Sequence, residues 1–252
     1  MLVLPLTLGG QGGGQATFLP TVGERLEYDL RLKLGALSFG RVGTGYTEVT
    51  GVDTVRGRPA YHLVFAVKGG IIGFHVDDTY ESWVDVETGA SLRHIQRIRE
   101  GGYRRTTTYE MIPERATYTE NGGPERPSVE QALDDCSFLY FVRASALEVG
   151  DRRELTRYFK PAQNPVVLVA ERRDSITVPA GRFDAVVVRP SIRSGGMFGE
   201  GGRAEVWLGR DAQRLMLQLT AHLPFGTLNL SLRSVPPSAA VVAAAAIIDR
   251  QR

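Results

Sequence analysis

One cysteine in 252 residues, Cys136 between Asp135 and Ser137, leaves no partner for an intramolecular disulfide, so any fold must rest on packing and hydrogen bonds. Alone in an apolar stretch, it reads as a buried structural thiol, because a nucleophile needs a histidine and an orienting group beside it. Lysine is nearly missing too: Lys33, Lys68 and Lys160 are three among 30 basic residues. The many arginines are spread along the chain and offset by 28 acids, for a net charge of +2, which supplies no field for nucleic acid. No apolar run reaches the roughly 20 residues of a membrane-spanning helix; the Ala-rich stretch 239–248 is too short and reads as a tail. The P-loop, the G-x-S-x-G elbow and the H-E-x-x-H helix do not occur, which removes the commonest signatures of nucleotide, hydrolase and zinc-protease chemistry.

What the chain has is punctuation and alternation. Its 29 Gly and 13 Pro make about one residue in six, above the usual one in eight, and imply many short strands. Leu26, Tyr28, Leu30, Leu32 and Leu34 alternate with charged residues from Arg25 to Lys33, which predicts a strand with one buried and one wet face. Further strands are expected at about 39–50, 59–69, 75–85, 91–99 and 103–111, with hairpin-length gaps that favour antiparallel pairing. The pattern breaks at 128–147. Ser128 followed by Gln131 has capping-box spacing, and the aromatic-rich stretch after it predicts a helix over about 130–145. Strands resume at 153–159, 166–172, 183–189, 203–208, 214–222 and 227–233.

The two strand-rich halves carry similar landmarks in the same order. Gly23-Glu24-Arg25 matches Gly150-Asp151-Arg152, Thr54-Val55-Arg56-Gly57 matches Thr177 to Gly181, and Glu81-Ser82-Trp83-Val84 matches Glu205-Val206-Trp207-Leu208. The expected architecture is therefore mainly β: an antiparallel β-barrel or half-barrel built from two related meanders, 22–119 and 147–235, with one connecting helix. These form a single domain over 22–235, because each half is too short to cover its own apolar face. Residues 1–21 precede it and 236–252 follow. The apolar and then Gly-rich stretch 1–16 resembles the end of a secretory signal, without the basic segment that normally opens one.

Candidate sites are few. Asp77, Asp78, Glu81 and Asp85 could divide acid and base roles in a hydrolase, but period-two geometry puts Asp77, Glu81 and Asp85 on one face with Trp83 and sends Asp78 to the other. Arginines such as Arg93, Arg97 and Arg105 are available to pair with them. His75 and Asp77 share a face, yet no second ligand pair accompanies them, and no metal or cofactor is expected. Gly199 to Ala204 fits the G-x-G-x-x-A string but leads into a strand, so it reads as a hairpin loop. The aromatics Trp83, Phe138, Phe141 and Trp207 could line a cavity in a curved sheet. That leaves three readings: a non-enzymatic domain binding a hydrophobic or lipid-like ligand, an interaction scaffold with a filled core, and a hydrolase using the strand carboxylates.

The stretch Asp135 to Arg143, then Leu147 to Asp151, Val178-Pro179-Ala180-Gly181-Arg182-Phe183, and Val206-Trp207-Leu208 with Asp211 and Arg214, resembles the ordered landmarks of the bacterial family called domain of unknown function 3108. Gly23-Glu24 with Leu26 and Tyr28 is similar to its opening strand, and the likeness runs from about Val22 to Val235. It implies a β-rich domain exported to the periplasm or cell envelope, with no assigned activity and no known catalytic residues. The general plan, a long antiparallel sheet wrapped around a helix, is similar to that of envelope lipoprotein carriers, so a lipid-like ligand or an envelope protein is the implied partner.

Overall fold

The alternation at the start of the chain becomes β1 (Arg25–Leu34), with Leu26, Tyr28 and Leu30 buried on one face. The computed structural model describes residues 20–192, 203–223 and 226–234. From β1 a meander runs through β2 (Leu37–Val55), β3 (Arg58–Ile71), β4 (Phe74–Asp85), β5 (Ser91–Glu100) and β6 (Tyr103–Ile112) to β7 (Thr117–Glu120) and β8 (Arg126–Pro127). Beyond the helix α1 (Asp135–Ala144), a second meander comprises β9 (Arg152–Leu155), β10 (Val166–Val178), β11 (Gly181–Ser191), β12 (Arg203–Gly209), β13 (Met216–Leu223) and β14 (Gly226–Ser234). β14 pairs antiparallel with β1, so both meanders join one 14-stranded sheet with β8 and β9 at its edges. The chain thus starts mid-sheet, runs to one edge, crosses with the helix and returns from the other edge.

One face of this sheet closes on a single core. Residues from β1 to β4, β6 and β7, from β10 to β14 and from α1 contribute to the same apolar cluster, which a flat sheet could not arrange. The curl brings the edges together at one end: the Tyr118 ring of β7 lies 5.3 Å from that of Phe159, and 128–133 threads between them. Ser128 donates from its N–H to Ala116 O and from its hydroxyl to Phe159 O, while Leu133 donates its N–H to Arg157 O and accepts from the Phe159 N–H, bracketing Tyr158. No ladder joins β8 to β9, so the barrel is open. Gly43 and Gly69 face each other across β2 and β3, where a Cβ on Gly43 would stand 2.2 Å from Lys68 O. Only glycine permits that approach.

The helix plugs one end. Its residues Cys136 to Val142 are all buried. Its first turn lies at Ser82 and Ser91, and Arg143 in its last turn pairs with Glu24 and donates to Gln213 O. This helix end carries the turns 56–57, 86–90, 113–116 and 210–215; the opposite, open end carries the turns 35–36, 72–73 and 101–102.

Several expectations are corrected. The helix begins at Asp135, not near 130, and its cap is Asp134 with Ser137 in a reciprocal capping box; Ser128 spends its hydroxyl on Phe159 O instead. The strand expected over 153–159 stops at Leu155 because Arg157 to Phe159 turn to run beside 131–133. β7 and β8 were not anticipated and extend the first meander past residue 119. The signal-like stretch 1–16, the loop 199–202 and the tail 236–252 lie outside the described residues.

Candidate functional site

Because strand residues alternate, the register fixes which side chains face the helix. On β1 these are Leu26, Tyr28, Leu30, Leu32 and Leu34, and the pairing carries the same face through Thr47 and Gly45 of β2, Leu63, Phe65 and Val67 of β3, and Ser82, Tyr80 and Asp78 of β4. Exposure on this face rises from the helix end to the open end. Leu26, Val49, Leu63 and Ser82 are buried; Leu32, Leu34, Val67 and Val76 are half-buried; and Phe39, Phe74 and Leu37 are 36%, 48% and 66% exposed. The concave face is packed solid around the helix and opens beyond it.

A polar cluster marks the boundary between the two zones. His94 of β5 is fully buried, its Nδ1 2.8 Å from Glu81 O and its Nε2 3.6 Å from Asp135 Oδ2. Asp134 accepts from Ser82 Oγ at 2.6 Å and from the N–H groups of Cys136 and Ser137. Asp135 accepts from Gln96 Nε2 at 2.6 Å and from Tyr158 Oη at 2.7 Å. Burial works against a charged His94, but Asp134 and Asp135 outweigh it and raise its pKa. Burial likewise works against a charged Asp135, yet His94, Tyr158 and Lys160 hold its pKa below the usual carboxylate value. The imidazole also joins a row of cross-strand rings, Phe65, Tyr80, His94 and Tyr109, with Phe159 set edge-on, and Lys160 Nζ caps Tyr109 at 4.6 Å.

Towards the open end the interior divides by chemistry. Leu32, Leu34, Val67 and Leu228 make an apolar wall. Across from it, on β4 to β7, stand Asp78, Glu100, Arg105 and Glu120. Burial pushes the Asp78 carboxyl up, opposed by the Arg99 N–H at 2.8 Å and by Glu100; burial and Asp78 push Glu100 up as well. Arg105 Nη2 lies 3.0 Å from Glu120 Oε1. The open half of the interior is therefore amphiphilic, able to hold an apolar chain on one wall and hydrogen-bonding groups on the other.

The aromatics singled out in the sequence separate. Phe138 and Phe141 are buried in the core on α1. Trp83 and Trp207 point to the opposite face of the sheet and do not line the interior. Trp83 stacks on His62 at 4.3 Å and donates to Asp53 Oδ2, with Arg93 over its ring; Trp207 lies under Arg172, which pairs with Glu205. The strand carboxylates share that outer face and are held by arginines: Asp77 by Arg99, Glu81 by Arg97 and Asp85 by Arg58. These three converge on no cleft, and Asp78, the fourth of the strand carboxylates, faces the interior. Among the described residues no group of three or more His, Cys, Asp or Glu could hold a metal ion, and no helix is long and apolar enough to cross a membrane. Burial pushes the Cys136 thiol well above its ordinary pKa, away from nucleophile chemistry. Sequence reasoning passed over His94, Asp134, Asp135 and Tyr158; the one available signal was the Asp-x-x-Ser cap, which Ser128 and Gln131 obscured.

Comparison with curated proteins finds no match. Among solved structures, the chain is similar to a β-barrel-like protein of domain of unknown function DUF1849 from Brucella abortus, with TM-score 0.54 and 10% identity over 84% of this chain and 96% of that one. A "putative lipoprotein" from Parabacteroides distasonis matches with TM-score 0.33 and 12% identity, over 87% of this chain and 98% of that one. The first likeness shows the fold: an antiparallel, barrel-like sheet. The family model described as Protein of unknown function (DUF3108) matches residues 27–233, and the chain belongs to that family.

Proposed function

We propose that this domain binds an amphiphilic small molecule, an apolar chain with a polar head, in the open half of its concave face. The observation that carries the reading is the exposure gradient: side chains that point inward are buried beside the helix, yet Phe39, Phe74 and Leu37 are open to solvent at the far end. A closed structural core would bury them, because each large apolar side chain left in water forgoes about 1.5–3 kcal/mol. The wall of Leu32, Leu34, Val67 and Leu228 suits the chain, and Asp78, Glu100, Arg105 and Glu120 suit the head. Its proposed address is the bacterial cell envelope, which the signal-like opening of the sequence and the family resemblance both favour.

Titration with a fluorescent long-chain fatty acid tests the site. Saturable binding is expected, lost in Val67→Arg, which sets a charge in the apolar wall, and retained in Val86→Arg at the helix end. Equal binding by both variants, or no binding by the parent protein, would favour an interaction scaffold instead.

A further inference from the structure

We infer that the open end is a membrane-docking rim, whose hairpin tips seat on an anionic lipid surface. The inference goes beyond ligand binding, shares with that reading the exposed Leu37, Phe39 and Phe74, and rests on how two properties are distributed. Among the described residues, every exposed hydrophobic side chain larger than valine lies here: Leu37 and Phe39 on the β1–β2 hairpin, Ile72 and Phe74 on β3–β4, and Tyr103 on β5–β6. Elsewhere the exposed large hydrophobics are valines. Ile72 is the extreme case, fully exposed in the turn between β3 and β4, where a polar residue would satisfy the turn equally well.

Charge gathers at the same place. The segments 33–41, 68–77 and 97–106 hold seven basic residues, Lys33, Arg41, Lys68 and the arginines at 97, 99, 104 and 105, against the acids Asp77 and Glu100. Four of the basic residues are paired, Arg41 with Asp29, Arg97 with Glu81, Arg99 with Asp77 and Arg105 with Glu120, so the positive surplus at this end is carried by Lys33, Lys68 and Arg104. Lys33, Lys68 and Arg104 make no ion pair among the described residues, and an open depression of about 220 Å3 lined by Arg97, Ile98, Arg99, Arg104, Arg105 and Thr106 lies beside Arg104. The tips are also contiguous. Gly101 donates its N–H to His75 O, and the Phe74 ring packs within about van der Waals reach of Gly101. Six neighbouring strands at the usual spacing set this rim along about 24 Å. Apolar tips flanked by cations are the chemistry of an interfacial anchor: the apolar groups enter the headgroup boundary while the cations meet lipid phosphates. A rim seated this way would turn the mouth of the concave face towards the bilayer.

Co-sedimentation of the full chain with vesicles is the test. Binding is expected to vesicles of phosphatidylcholine mixed with phosphatidylglycerol, absent with phosphatidylcholine alone, and weakened by salt. Ile72→Asp and the pair Lys33→Glu with Arg104→Glu should each lower affinity at least about tenfold, whereas Arg115→Glu at the helix end should leave it unchanged. All these side chains are exposed, so unchanged melting curves confirm that the variants fold. Loss of fatty-acid binding with vesicle binding intact would count against the ligand and leave the rim standing. The rim assignment is overturned if the parent ignores phosphatidylglycerol, if the rim variants bind like the parent, or if Ile72→Asp instead dissolves a dimer, which would make the rim a contact between two copies.

Discussion

His94 sits where a titratable residue has most leverage, sealed from water between two carboxylates and in a row of rings. Its raised pKa means that its protonation stabilises the fold fully below the unfolded value near 6.5 and that this contribution fades as pH rises through the folded value. Asp135, with a lowered pKa, contributes fully above about 3.8 and loses that contribution as pH falls through its folded value. Stability from the pair should therefore plateau between about pH 4 and 6.5 and decline on both sides. Urea melts across pH will show this, and His94→Leu should remove the alkaline decline and cost about 2–3 kcal/mol, since it leaves Asp134 and Asp135 without their counter-charge. A parent protein whose stability is flat from pH 6 to 9 would contradict the assignment. Asp134→Ala should cost about 2–3 kcal/mol in the same melts, because it removes the helix cap and strands Ser82 in the core. Trp207→Ala should cost about 2 kcal/mol, less than the roughly 3–5 of a fully enclosed aromatic, as the ring is half-buried on the outer face beneath Arg172.

At the scale of elements, β1 was readable because its alternation is unbroken, and the hairpins because Gly and Pro sit in their turns. Trp83 shows what went unread: it shares parity with Asp77, Glu81 and Asp85, so its outward direction was implied, yet large aromatics invite a core assignment. Interior polar residues hide for the opposite reason. Ser82, His94 and Gln96 interrupt the inward rows of β4 and β5, and in a sequence that looks like a wet face; only the helix, packed from a distant part of the chain, gives them partners. Gly43 was equally silent, because its lack of a side chain matters only once β3 passes 2.2 Å from where a Cβ would be. Gly43→Val should force β2 and β3 apart, lowering the melting temperature by at least about 5 °C, while Gly57→Asn, at a turn with φ +80°, should be nearly neutral. The repeated landmarks place Trp83 on β4 and Trp207 on β12, both outward and both under an arginine. A common origin of the two meanders predicts that β2 to β6 superpose on β10 to β14 in chain order, and fewer than four aligned strands would reject it.

Across the whole molecule, one sheet made of two meanders is plugged at one end by a ten-residue helix and left open at the other. The asymmetry runs through every level: buried inward faces and a polar cluster near the helix, then half-exposed leucines and valines, then a cationic rim with apolar tips. The proposed amphiphile site rests on that asymmetry and on the division of the open interior into an apolar wall and an acid- and arginine-bearing wall. Native mass spectrometry of the protein purified without detergent or organic solvent measures this most directly. The account predicts a fraction of molecules carrying an added mass of lipid size, released by organic extraction and missing from Val67→Arg. A single unliganded mass, unchanged after incubation with long-chain fatty acid or phospholipid, would contradict it.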